Sequence, residues 1–372
     1  MISLKSLLAT TVLSLSFLQA EPTSTESSRA LAEQFGSLRN ARVAIDITDS
    51  KRELTYFAGR IPTKDAEELA RIAPNLKIVA GLSPQEALAR AEEADAIDAR
   101  YASPEFLAKA KNVRWVQVQS AGVDRYIKIQ PLMENDDIVL TNFRATHGPA
   151  ISDHAMAMLL SLTRNLNYYG EYQRKGEWKR GSAPSNKSIA LEGKTMLVVG
   201  LGGIGSEIAK RADGYGMRVL ATRRSDAPTP DYVDRMGKPN DLLAMLPEAD
   251  VVALAVPLVP ATENLIDEEA FAAMKKGSYL INIARGKVVD TDAMLVALNS
   301  GHLAGAGLDV TDPEPLPSDH PLWKQPNVII TPHIAGHSAV TNERRSALTI
   351  ENLRRFSAGE PLLNVVDKEA GY

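Results

Sequence analysis

Three segments late in the chain each carry a residue able to do acid–base or electrostatic chemistry. They are Asn282-Ile283-Ala284-Arg285-Gly286, Leu308-Asp309-Val310-Thr311-Asp312-Pro313-Glu314-Pro315 and Thr331-Pro332-His333-Ile334-Ala335-Gly336. A guanidinium such as Arg285 can hold a carboxylate, or polarise the carbonyl beside it, in fork geometry. An imidazole such as His333 can give a proton to a forming alkoxide, and a neighbouring carboxylate, Glu314, favours its protonated form. This set suits reduction of a 2-oxo acid, with a nicotinamide cofactor carrying the hydride. Asp309 is open to three readings: it binds the nicotinamide, tunes His333, or caps the turn that follows.

A second pattern supplies the cofactor. Val198-Val199-Gly200-Leu201-Gly202-Gly203-Ile204-Gly205 is G-x-G-x-x-G between an apolar run and a helical one. Gly200 permits the tight turn, Gly202 lets backbone approach a pyrophosphate, and Gly205 allows close helix–strand packing. The free N–H groups and partial positive charge of the helix start face the phosphates. The next strand ends Leu220-Ala221-Thr222-Arg223-Arg224-Ser225. An acid at that tip would hold the ribose hydroxyls of NAD. Here two guanidinium groups can grip a 2′-phosphate instead, so NADP is preferred and NAD remains possible. The competing reading makes both arginines solvated and turns Asp226 inward as the acid.

These residues need a frame that brings strand ends together. From Arg42 onward short β-branched runs alternate with helix-period segments: Arg42–Ile47 and Val113–Val118 read as strands. Helices are expected over Thr63–Ala73, over Ser83–Ala94 and from Ser103-Pro104, the last two with Ser-Pro starts. Ile151–Tyr169, apolar on most sides, reads as a buried helix, and Gly176–Lys187 as a surface loop. From Lys194 the alternation is cleaner. Strands are expected at Thr195–Val199, Arg218–Thr222, Val251–Ala255, Ser278–Ile283, Ala304–Val310 and Asn327–Thr331. Helices fall at Ile204–Ala212, near Asn240–Leu246, at Asp267–Met274 and at Asp290–Asn299, with a last amphipathic helix at Ser338–Ser357. The pattern predicts an α/β protein of two doubly wound parallel-sheet domains.

The chain has 372 residues, with 42 Lys+Arg against 46 Asp+Glu and a formal charge of −4. Two domains of ordinary size fit that length. The charge gives no bulk attraction to nucleic acid or anionic lipid. With no cysteine and six histidines, disulfides, Cys-ligated metals and thiol nucleophiles are excluded, and no metal site is expected. Residues 1–20, MISLKSLLATTVLSLSFLQA, place Lys5 before an apolar run that ends at Ala20. That is the layout of a cleaved signal peptide, too short to span a bilayer. Residues 21–41 read as a linker. Export is expected if the signal operates and a cytoplasmic site otherwise, with no stable membrane insertion after cleavage.

Taken in order, Val118-Gln119-Ser120-Ala121-Gly122-Val123-Asp124, GLGGIG, NIARG, LDVTDPEPLP and NVIITPHIAG make the chain resemble the D-isomer-specific 2-hydroxyacid dehydrogenases over about residues 42–365. The resemblance implies that Arg285, Glu314 and His333 are the catalytic trio, and that Ala121, Gly122 and Val123 bind the substrate carboxylate together with Arg285. It implies that Gly203 and Ile204 meet the pyrophosphate, that Val256-Pro257 lie near the ribose, and that Ile283, Asp309, His333 and Gly336 surround the nicotinamide. It further implies a Rossmann cofactor domain at 148–332 and a flavodoxin-like substrate domain built from both chain ends, 42–147 plus 333–372. Ile151–Tyr169 and Ser338–Ser357 become hinge helices, and a homodimer through the cofactor domain is expected.

Two departures bear on activity. Gly203 stands where the family often has Arg, and Thr222-Arg223-Arg224 looks like the tip of NADPH-preferring glyoxylate and hydroxypyruvate reductases. The expected substrate is therefore a small 2-oxo acid of that class. D-lactate or phosphoglycerate dehydrogenation is a rival, as is a non-catalytic dinucleotide sensor on the same fold. Other polar residues read as structural. His147 and His154 are hydrogen-bonded histidines, His337 is placed to cap the last helix, and His302 suits a helix C-terminus. Trp323 packs beneath the site loop, Met156 and Met158 fill the core, and Glu92-Glu93 and Lys275-Lys276 are solvated faces.

Overall fold

In a computed structural model, residues 24–38, 40–45, 52–181 and 188–372 are described. The signal segment at 1–20 lies outside these residues, as does most of the polar end of the 176–187 loop.

Five strands form the first sheet: β1 (Leu54–Ala58), β2 (Leu76–Ala80), β3 (Ala96–Asp98), β4 (Trp115–Gln117) and β5 (Val139–Thr141). Their order is β2-β1-β3-β4-β5 and every pairing is parallel. Seven more strands form the second: β6 (Thr195–Val199), β7 (Arg218–Thr222), β8 (Arg235–Gly237), β9 (Val251–Leu254), β10 (Ser278–Asn282), β11 (Leu303–Leu308) and β12 (Val328–Ile330). The order β12-β11-β10-β9-β6-β7-β8 is again all parallel. The central strands are buried on both faces because helices cover both, which is how a parallel sheet is stabilised. In each sheet the strand order reverses once, between β1 and β3 and between β6 and β9. Ligands of such sheets bind beyond the strand carboxyl ends at that reversal.

Several elements differ from the sequence reading. Arg42–Ile45, the described part of the expected first strand, is irregular, and the strand is instead Leu54–Ala58. That segment is buried at every position, so it lacks the polar alternation that marks a half-exposed strand. The expected linker contains a helix, Ser24–Phe35, packed on the last helix, Ala339–Ala358. Its Ser/Thr-rich start hid an amphipathic turn whose Ala32 is buried. The long helix expected over Ile151–Tyr169 is two, Gly148–Thr163 and Leu166–Arg174. Between them Asn165 adopts a left-handed conformation (φ 55°), which Asn tolerates better than most residues. Strands β2, β3, β5 and β8 are further elements that the sequence reading does not contain.

The returning chain end is tied to the first sheet. Trp115 of β4 stacks on Tyr56 at 5.6 Å and meets Phe356 of the last helix at 5.3 Å. A buried polar chain continues the contact: Trp115 Nε1 donates to Thr141 Oγ1 (2.8 Å), which donates to Gln117 Oε1 (2.8 Å). Asn352 Nδ2 then donates to Leu363 O (3.2 Å), and Asn352 Oδ1 accepts from Leu363 N (2.8 Å). With each buried group partnered, this network adds specificity without an unpaired polar cost.

Candidate active site

The glycine turn after β6 fits a dinucleotide pyrophosphate. A Cβ on Gly205 would stand 2.1 Å from Gly200 O, so only glycine lets the helix Gly203–Gly214 start this close to the strand. Gly200 has φ +97°, and a Cβ on it would meet Val256 Cγ1 at 2.8 Å. Gly202 caps the helix and faces open space, while Gly203 lies against Ala145. Ile204 follows in the first turn, where N–H groups are free to meet an anion. Pro257, beside Val256, follows β9 on the other side of the strand-order reversal.

At the tip of β7, Thr222 is buried and accepts from Gly200 N through its hydroxyl at 3.3 Å. Arg223 donates to the carbonyls of Ala227 and Pro228, closing the loop beyond the tip. Asp226 does not turn inward: its side chain is 93% exposed and pairs with Lys238, which holds its carboxyl below the usual range. Lys238 Nζ also reaches the carbonyls of Arg224 (3.3 Å) and Ser225 (3.5 Å). Sequence reading missed Lys238 because it enters from β8, a strand of three residues.

The loop after β4 faces Arg285. Asn142 Nδ2 donates to Ala121 O (2.8 Å) and Ser120 Oγ to Gly122 O (2.7 Å), so the turn is braced from both sides. Among the described residues, no protein acceptor takes the N–H groups of Ala121, Gly122 or Val123. Arg285 lies directly over this turn, and a Cβ on Gly122 would be 1.9 Å from its Nη2. Arg285 Nε donates to Asp124 Oδ1 at 3.1 Å, and Nη2 lies 3.0 Å from the same oxygen. On the far side Arg285 Nη1 donates to Ala284 O at 2.7 Å, and Asn282 Nδ2 pins Arg285 O at 3.0 Å.

His333 and Glu314 meet at 2.9 Å, Nδ1 to Oε1. A carboxylate partner fixes the proton on Nδ1 in the neutral ring and leaves Nε2 as the exchangeable position. Both side chains remain accessible to a ligand.

His333 has φ +56°, a region few non-glycine residues occupy. Asp309 holds it there. Its carboxylate, 3% exposed as a residue, accepts from Ile334 N (2.9 Å), Ala335 N (3.0 Å) and Thr331 Oγ1 (2.6 Å). Its carbonyl accepts from His333 N at 2.8 Å. The turn that Asp309 caps is the one after β12, not the one that follows Asp309 itself. Thr331 spends its one proton on Asp309, so His154 Nε2, 2.9 Å from Thr331 Oγ1, must donate to it. Ile283 is buried just after β10, and Gly336 packs against the His147 ring, where a Cβ would come within 2.9 Å.

The other histidines and Trp323 hold structure. His147 Nδ1 lies 2.9 Å from Thr146 Oγ1, and His302 Nε2 meets Met274 O at 2.9 Å. Ser338, not His337, caps the last helix, accepting from Thr341 N at 3.0 Å. Trp323 is half-exposed and donates to Pro317 O at 2.8 Å, bracing the loop that carries Glu314. Among the described residues, no His/Asp/Glu cluster is placed to hold a metal, and no helix is long and apolar enough to cross a membrane.

The sequence family described as the NAD binding domain of D-isomer specific 2-hydroxyacid dehydrogenases matches residues 156–335. A glyoxylate reductase of Pyrococcus horikoshii is 40% identical over 271 residues, 71% of this chain and 79% of that protein. The crystal structure of a D-isomer specific 2-hydroxyacid dehydrogenase family protein from Aeromonas salmonicida superposes with a TM-score of 0.72. It is 33% identical and covers 85% of this chain and 99% of its own. An NADPH-dependent glyoxylate/hydroxypyruvate reductase from Sinorhizobium meliloti, solved with NADP and sulfate, has a TM-score of 0.70 at 26% identity. It covers 86% of this chain and 100% of its own.

Proposed function

Because the chain belongs to the D-isomer specific 2-hydroxyacid dehydrogenases, NAD(P)-binding oxidoreductases acting on CH–OH groups, we propose that it reduces glyoxylate or hydroxypyruvate to the 2-hydroxy acid with NADPH. The observation that carries the reading is the His333–Glu314 pair, 2.9 Å apart, in a site that also holds Arg285 over the Ala121–Val123 turn.

In this proposal the substrate carboxylate rests on the backbone N–H groups of Ala121, Gly122 and Val123. Arg285 completes the carboxylate's hydrogen bonds and polarises the 2-oxo group. When bound, the dinucleotide supplies a hydride to C2. His333 gives its Nε2 proton to the developing alkoxide, while Glu314 stabilises the charged imidazolium before transfer and fixes the ring's orientation. NADPH preference is supported by Asp226 being 93% exposed and paired with Lys238 rather than turned toward the β7 tip. Arg223, Arg224 and Lys238 surround that tip, and Asp226 is committed to Lys238.

A homodimer through the cofactor domain belongs to the same proposal. Trp178 is 88% exposed and Leu166 54% exposed at either end of the helix Leu166–Arg174, large apolar side chains that a dimer interface would cover. Sedimentation should report a dimer that Trp178→Ser weakens.

The activity test is purified protein with NADPH or NADH and glyoxylate or hydroxypyruvate, followed by loss of reduced-nicotinamide absorbance. Faster oxidation with NADPH supports the reading. Tight dinucleotide binding without turnover on any 2-oxo acid would replace it with the non-catalytic sensor.

A further inference from the structure

The three cations near the β7 tip are not equally available. Arg223 is committed to the carbonyls of its own loop, and Lys238 to Asp226 and two carbonyls. Arg224 is different. Among the described residues its guanidinium N–H groups have no protein acceptor, and it lies over the ring of Tyr372, 4.6 Å from Cζ to the centroid.

Tyr372 belongs to the other domain. Its carbonyl accepts from Asp367 N (3.2 Å), Gly371 N donates to Asp367 O (2.9 Å), and Ala370 N to Asp367 Oδ1 (3.0 Å). This tight turn starts just after Val365, which bridges to Thr141 of the first sheet. The turn also reaches across the boundary: a Cβ on Gly371 would lie 3.5 Å from Val259, past β9, and 3.6 Å from Ile127 of the substrate domain. Tyr372 thus approaches the cofactor domain along the edge formed by the segments after β7 and β9.

A ring beneath a guanidinium plane restrains it while leaving its N–H edges free, and those edges are what a phosphate needs. We infer that Tyr372 is a positioning residue for cofactor selectivity, holding Arg224 ready for a 2′-phosphate. Because ring and guanidinium come from different domains, recognition of that phosphate is coupled to the domains being together. This rests on the NADPH reading above.

The test is calorimetric binding of NADP⁺ and NAD⁺ to the whole chain and to Tyr372→Ala, Tyr372→Phe and Arg224→Ala. Tyr372→Ala should weaken NADP⁺ by roughly three- to fivefold, the size of one exposed cation–π contact, and NAD⁺ distinctly less. Tyr372→Phe, which keeps the ring, should restore NADP⁺ affinity, and Arg224→Ala should weaken NADP⁺ at least as much as Tyr372→Ala. If Arg224→Ala lowers the NADP⁺/NAD⁺ preference but Tyr372→Ala does not, or if Phe fails to rescue, the inference is overturned and the NADPH reading stands. If Arg224→Ala leaves the preference unchanged, the role of Arg224 in the NADPH reading fails and the inference with it.

Discussion

Arg285 and Asp124, from different domains, meet across the cleft through both Nε and Nη2 at 3.1 and 3.0 Å. Asp124 holds one edge of the guanidinium, and the fold leaves Gly122 bare so that the group can lie over the turn. A charge-assisted contact of this kind contributes about 1.5–3 kcal/mol. Asp124→Ala is therefore expected to lower kcat/KM for the 2-oxo acid by roughly ten- to hundredfold, mainly through KM. A lower KM in steady-state assays would show instead that Asp124 competes with the substrate for Arg285.

In the proposed mechanism Glu314 and His333 act on one proton and should fail differently. His333→Ala is expected to cut kcat by about 10²- to 10⁴-fold, the ordinary worth of a positioned general acid. Dinucleotide affinity, read by fluorescence titration, should change little. Glu314→Gln keeps an acceptor for Nδ1 but removes the carboxylate charge beside the ring, so it should cost less than His333→Ala. Equal loss of affinity and turnover in His333→Ala would make the imidazole a structural group.

Asp309 touches His333 only through the backbone, yet it holds the turn in which His333 sits at φ +56°. Asp309→Ala removes acceptors from Ile334 N, Ala335 N and Thr331 Oγ1. It is expected to destabilise the protein by about 2–4 kcal/mol, as buried donors lose partners, and to lower kcat. Thermal unfolding separates the two effects. Unchanged stability with reduced nicotinamide affinity would assign Asp309 to the cofactor.

His147 predicts a pH dependence of stability. Burial beside Arg345 pushes its imidazole from 6.5 down to about 4. The unfolded chain therefore binds a proton that the folded one refuses between those values. Stability contributed here is full above pH 6.5 and drains away as pH falls toward 4, by at most about 3 kcal/mol. The melting temperature should fall over that window, and His147→Gln should flatten the slope. An identical slope in the variant would place the effect elsewhere.

The cofactor domain was legible in the sequence because its signals are local. Thr195–Val199 and Arg218–Thr222 are apolar runs bounded by turns, and their strands match those limits. The first domain was less legible. Leu54–Ala58 is buried throughout, so it carries no polar alternation despite the strand propensity of Thr55, Tyr56 and Phe57. Ser24–Phe35 is polar at its start and forms against a helix more than 300 residues away in the chain.

The same division runs through the site. By itself the sequence pointed to the groups proposed for the chemistry, since Arg285, Glu314, His333 and the glycine turn each follow a strand whose period and turn residues are written locally. Only the tertiary structure decided how they are held. Asp124 on Arg285, Lys238 on Asp226, Asp309 under the His333 turn and Tyr372 on Arg224 are contacts between segments 12 to 161 residues apart. A side chain's partner across such a distance follows from how sheets and domains pack, and no spacing along the chain encodes it.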